Sequence, residues 1–223
     1  MGKRKIPLVT DCYYHIYSRS IAGYMIFNEP ADFYRIMELF DLYHYIDFNY
    51  RYSRFCELES VLQNQILKNV KALSGNLVDI IAYCVMPTHI HLILRQDVDD
   101  GISKFMGKIL NSYSRYFNIR HNRLGPLWES KFKDVLVETD DQLLHVTRYF
   151  HLNATSAGLV KKPEDWFYSS YGEYLETTKD GFCQFRPLFD FTMAQYREFV
   201  NDQKSYQREL SIIKKFLIDN DSG

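Results

Sequence analysis

Apolar positions switch between a two-residue and a roughly 3.6-residue period along the chain, and each switch marks a change of element. Residues 12–19, Cys-Tyr-Tyr-His-Ile-Tyr-Ser-Arg, are rich in aromatic side chains and predict a strand, with Gly23 in the loop that follows. Pro30 opens a helix through about Tyr45 that gathers Phe33, Ile36, Met37 and Phe40 on one side. Residues 47–76 predict a polar and aromatic helical insertion that ends at Ser74-Gly75-Asn76. Leu77 to Met86 and His89 to Arg95 predict two strands joined by Pro87-Thr88, a turn short enough to make them an antiparallel hairpin. A helix from Asp99-Asp100 to about Arg120, a loop containing Gly125-Pro126 and a strand over Phe132 to Glu138 follow. Thr139 or Asp140 then caps a last long helix that runs to about Ser156, just before Gly158.

Strand, helix, two strands, helix, strand is the ferredoxin-like order. The expected fold class is therefore α+β, an antiparallel sheet with helices on one face. Residues 1–175 form one expected domain with an insertion at about 47–76. Residues 176–223 form a small C-terminal helical appendage, signalled by Pro187-Leu188-Phe189 and by Tyr196, Phe199 and Val200.

Composition narrows the class without naming a function. The 223 residues suffice for a proper core, and 46% hydrophobic with 25% charged residues is ordinary for a soluble globular protein. No apolar run reaches membrane-spanning length, and Met-Gly-Lys-Arg-Lys-Ile-Pro lacks the apolar core of a signal peptide, so a cytoplasmic protein with no membrane partner is expected. Cys12, Cys56, Cys84 and Cys183 are scattered and predict neither a zinc cluster nor a disulfide framework. A net charge of -1 excludes a globally basic nucleic-acid binder. Locally the balance differs: between Gly101 and Lys133 stand Lys104, Lys108, Arg115, Arg120, Arg123, Lys131 and Lys133, with Glu129 the sole acid. Tyr113, Tyr116, Phe117 and Trp128 are interleaved with them, the mixture of cations and stacking surfaces that suits single-stranded nucleic acid. A solvated helix with its aromatics in the core carries the same composition.

Candidate chemistry sits in two places. Side chains alternate across a strand, so His89 and His91 share one face, about 7 Å apart along it, while Ile90 and Leu92 take the other. Two imidazoles so placed can converge on one metal ion. A pair of half-buried histidines hydrogen-bonded to their surroundings has the same pattern. In the last helix Tyr149 and Asn153 are four residues apart and lie one turn from each other on one face. His145 and His151 do not share that face and read as structural. His15 and Arg19 on the first strand are candidate nucleic-acid contacts, and Trp128 and Trp166 read as core.

Six blocks in order, Tyr14-His15-Ile16-Tyr17-Ser18-Arg19, Tyr83 to His91, Gly125 to Phe132, Arg148 to Asn153, Ala157-Gly158-Leu159-Val160 and Trp166 to Tyr171, resemble the HUH single-tyrosine transposases, which include the REP-associated tyrosine transposases. The resemblance implies that His89 and His91 bind a divalent metal ion, Mg2+ with Mn2+ able to substitute, that Asn153 is its third ligand, and that Tyr149 is the nucleophile. It further implies a metal-dependent endonuclease and strand transferase acting on single-stranded DNA with hairpin or palindromic ends through a 5′-phosphotyrosine. A homodimer in which the tyrosine helix is exchanged and a monomer acting in cis both remain open.

The chain departs from the family pattern at three places. Asn153-Ala154 stands for Asn-Pro, Thr88 for the Asn before the first histidine, and Glu129-Ser130-Lys131-Phe132 for Gln-x-Arg-Phe. Two other classes stay open: a metal-dependent hydrolase of small phosphoesters, which lacks support from a third histidine, and a non-catalytic DNA- or RNA-binding protein on the same fold. Tyr113 and Tyr116 are rival nucleophiles without an amide in the matching register.

Overall fold

The computed structural model describes residues 7–202. Strands β1 (Tyr13–Arg19), β2 (Val78–Met86), β3 (His89–Gln96) and β4 (Lys133–Val137) form one antiparallel sheet in the order β2-β3-β1-β4. Helices α1 (Pro30–Tyr43) and α4 (Gly101–Arg120) are the crossovers, and α2 (Tyr52–Cys56) with α3 (Ser60–Leu73) fills the segment between α1 and β2. This is the ferredoxin-like order read from the periodicity.

Local signals set the ends of these helices. Pro30 occupies the first turn of α1, where its missing N–H costs nothing, and Glu29 and Asp32 form a reciprocal capping box. Gly101 opens α4 hard against the hairpin: a Cβ there would lie 2.0 Å from the Leu77 carbonyl oxygen, so no larger residue fits. Helix α5 (Asp140–Ser156) starts at Thr139, whose hydroxyl accepts from the Gln142 N–H, with Asp140 and Asp141 favourably placed at the positive end of the helix dipole.

Two cores result, one on each side of the sheet. Tyr14, Ile16, Ile90, Leu92 and Leu94 face α1 and α4, packing with Phe33, Ile36, Phe105, Ile109 and Tyr113. The other face carries Cys84, Ile93 and Val137 against Val146, Tyr149, Phe150 and Ala154 of α5. The expectation of helices on one face therefore holds for the two crossover helices and fails for α5. Among the described residues no strand of the β1–β4 kind follows β4, and the apolar side of α5 covers the face left bare.

Short helix α6 (Tyr171–Tyr174) and α7 (Met193–Asn201) complete the layer over α5. Tyr196 of α7 is buried, donating to or sharing a hydrogen bond with His151 Nδ1 at 2.7 Å and lying 3.0 Å from Thr147 Oγ1. Arg148 is fully buried beneath α7, its guanidinium 4.7 Å from the Phe199 ring and bonded to the Asp202 carbonyl. The C-terminal expectation over residues 203–223 lies outside the described residues.

Candidate active site

Strand register decides which side chains share the α5 face. Tyr17 pairs with His91 and Arg19 with His89 across β1 and β3, while Tyr17 pairs with Lys133 across β4 and Cys84 with His91 across β2. Directly opposed residues project to the same side. His89, His91, His15, Tyr17, Arg19 and Lys133 thus stand on one surface, and α5 lays Tyr149 over it.

The two histidines are fixed differently. His91 is fully buried, and its Nδ1 lies 3.0 Å from His15 Nε2. His89 is partly exposed, and its Nδ1 is 2.8 Å from Thr88 Oγ1. Thr88, a departure from the family pattern, thereby supplies a hydrogen bond to the histidine beside it. With Nδ1 of each ring engaged, a metal ion would be taken on Nε2. Burial, reinforced by His89, His15 and Arg19, holds the His91 pKa well below the ordinary imidazole range, so its ring stays neutral as a ligand must.

Tyr17 packs between the pair, with ring centroids 5.5 Å from His89 and 4.9 Å from His91, and Arg19 lies 5.5 Å from the Tyr17 ring. In the sequence His15 reads as a candidate nucleic-acid contact and not as a partner of His91, and Tyr17 is not singled out; the period-two alternation of β1, Tyr13, His15, Tyr17, Arg19, puts them on a common face.

Tyr149 meets this surface from above. Its ring centroid is 5.9 Å from that of His91 in an edge-on arrangement, within a single chain. Asn153 is one helical turn further, buried, and its Nδ2 makes no hydrogen bond. A buried amide without a partner costs about 1–3 kcal/mol, and amide nitrogen and oxygen are interchangeable by a ring-like flip of the group. Two imidazole nitrogens and an amide oxygen are a donor set that fits a divalent ion such as Mg2+ or Mn2+ with phosphate oxygens or water completing the shell. Among the described residues, no three His, Cys, Asp or Glu side chains are grouped to hold a metal without that amide.

The rival tyrosines lie on the far side of the sheet. Tyr113 is buried and donates to the Ile26 carbonyl at 2.6 Å, and Tyr116 donates to Asp32 Oδ1 at 3.0 Å. Burial raises both phenol pKa values, Tyr116 with help from Asp32. His151 is buried between Ser170 Oγ and Tyr196, and burial lowers its pKa to about 3, in keeping with a structural role.

The basic residues of the Gly101–Lys133 segment divide. Lys104, Lys108, Arg115 and Arg120 ride on α4, across the sheet from the histidines. Lys108 Nζ lies 3.4 Å from the Phe48 carbonyl, and Arg120 pairs with Glu29. Arg123 donates to Asn118 Oδ1 in the last turn of α4 and to the Pro126 carbonyl of its own loop. Lys131 is exposed in the segment leading to β4, and Lys133 is exposed on the histidine face.

Comparison with known proteins bears on this arrangement. The family model described as "Transposase IS200 like" matches residues 42–153, half of the chain, a span that contains both histidines, Tyr149 and Asn153. The chain belongs to the IS200-like transposase family. A REP-associated tyrosine transposase of Haemophilus influenzae is 26% identical over 101 residues, which cover 41% of this chain and 57% of that protein. The match thus spans little more than half the length of that relative. A solved structure of a REP-associated tyrosine transposase bound to a REP hairpin aligns with a TM-score of 0.46 at 15% identity, covering 86% of this chain and 96% of that one. No helix among the described residues of this IS200-like family member is long and apolar enough to cross a membrane.

Proposed function

We propose that this member of the IS200-like family is a DNA-cleaving and DNA-rejoining transposase that acts on single-stranded DNA with hairpin or palindromic ends, using Tyr149 as its nucleophile. The observation that carries the reading is the contact of Tyr149 with His91 in the same chain, above a face that also holds His89 and Arg19.

His89, His91 and Asn153 would hold the metal ion, which when bound supplies Lewis-acid polarisation of a scissile phosphate oxygen. The Tyr149 hydroxyl attacks phosphorus in line with the departing 3′-oxygen: the O–P bond to tyrosine forms as the bond to the 3′-oxygen breaks, giving a 5′-phosphotyrosine and a 3′-hydroxyl. The bond energy is conserved, so a 3′-hydroxyl can reverse the step without ATP. The phenol must lose its proton in this attack. His15 orients His91, while Arg19 and Lys133 offer cations to the DNA backbone on the same face.

Incubation with hairpin single-stranded DNA and Mn2+ tests the reading. A protein–DNA adduct resistant to denaturation is expected, absent from Tyr149→Phe and from reactions with EDTA. An adduct of equal yield in Tyr149→Phe overturns the assignment of the nucleophile.

A further inference from the structure

At the outer edge of β2 one isolated antiparallel bridge extends the sheet. The segment after α5 runs antiparallel along the outer edge of β2: the Val85 N–H donates to the Tyr168 carbonyl at 2.9 Å, the Ser170 N–H donates to the Tyr83 carbonyl at 3.0 Å, and Cys84 bridges Ser169. Two residues before Ser169, Phe167 stands in the turn that leads into this bridge, near the end of β2 that carries Met86. Met86 in turn pairs with His89, and His89 with Arg19. Arg19, His89 and Met86 therefore form one row across the end of the sheet, and Phe167 lies in the turn at the outer edge of β2 near that row.

Phe167 is the exposed member of a segment whose neighbours are tied down. Trp166 donates its indole N–H to the Val85 carbonyl at 3.1 Å, and the Tyr168 ring stacks on Phe33 with centroids 3.8 Å apart. Phe167 itself is 72% exposed. Around the same hairpin turn, the loop hung on the Pro87 carbonyl by the Ile26 and Phe27 N–H groups leaves Tyr24 and Met25 exposed as well. A phenylalanine left in water between two anchored neighbours, at the end of the sheet that carries His89 and Arg19, exposes its ring without gaining burial. That is the condition of a surface prepared for a flat apolar partner.

We propose that Phe167 is a stacking platform for a nucleobase of the single-stranded substrate, positioning the strand so that the phosphate a nucleotide or two away falls between His89 and Tyr149. This rests on the proposed action on single-stranded DNA and adds to it the residue that sets strand register. Every base has a π-face, so the platform fixes position and direction more than it selects sequence.

The test uses a hairpin oligonucleotide with a single-stranded tail carrying 2-aminopurine at successive tail positions. Wild type is expected to quench the fluorescence at one position. Phe167→Ala should abolish that quenching and bind roughly 10-fold more weakly. Phe167→Trp should restore both, which a merely structural role would not do. Equal affinity and equal quenching in Phe167→Ala overturns the inference alone. So does an altered oligomeric state with unchanged quenching, which would assign the surface to a second copy of the chain. A wild-type protein that binds none of the oligonucleotides overturns the reading of the substrate and the inference with it.

Discussion

His15 Nε2 lies 3.0 Å from His91 Nδ1, so the more buried of the two candidate ligands is oriented by a histidine 76 residues earlier in the chain. A ring nitrogen held this way fixes the tautomer, and with it the direction in which the other nitrogen presents its lone pair. His15→Phe is expected to lower Mn2+ affinity about 10- to 100-fold while leaving the fold intact. Calorimetric titration of Mn2+ into the variant checks this, and an unchanged affinity would remove His15 from the site.

Cations on the two sides of the sheet should behave differently toward DNA. Lys133→Ala, on the histidine face, is expected to weaken single-stranded DNA binding and to reduce the slope of log K against log salt by about 0.7. Lys104→Ala, on α4 across the sheet, should change neither quantity. Anisotropy titrations over a range of salt concentrations separate the two, and equal losses would restore α4 as the DNA face.

Tyr196 ties α7 to the tyrosine helix through a buried hydroxyl that meets both Thr147 and His151. Tyr196→Phe keeps the ring but strands the His151 nitrogen, at an expected cost of about 1–3 kcal/mol in urea denaturation. A loss below a few tenths would mean that the network contributes little.

A pH signature arises far from the site. Arg95 is shared by Asp11, Asp79 and Asp97, three acids around one base. Burial, then repulsion from Asp79, raises the Asp97 pKa to about 7. A carboxyl whose folded pKa lies above its unfolded value holds its proton more tightly in the folded state. Its contribution is therefore fully present below about pH 4 and is lost as pH rises toward 7. Asp97→Asn should gain on wild type across that window, by about 1 kcal/mol at pH 8 after solvent screening. Thermal melts at pH 5 and pH 8 decide it, and a gain that shrinks with rising pH contradicts the assignment.

The hairpin carrying His89 and His91 was legible because alternation in Ile90, Leu92 and Leu94 and the Pro87-Thr88 turn are local signals. That α5 would lie on the opposite face from α1 and α4 was not, since a helix period says which side is apolar but not which surface of a sheet is vacant. The same gap explains the cations: Lys104, Lys108, Arg115 and Arg120 are contiguous in sequence with Lys133, yet the crossover puts them on the other side. His15 and Tyr17 needed the β1–β3 register, which pairs residues more than 70 positions apart. Exposed Phe167 was hidden within the block Trp166 to Tyr171, where its neighbours are anchored and it is not.

The sandwiching of α5 between the sheet and α7 sets a clock. A helix joined to its surroundings only by a loop can swing out in microseconds to milliseconds, whereas one gripped on two sides leaves only when a cooperative unit opens. Trading Tyr149 between two copies would have to wait for Arg148 to part from Phe199 and for the Tyr196 hydroxyl to leave His151. Within one chain, the Tyr149 ring already lies edge-on to His91.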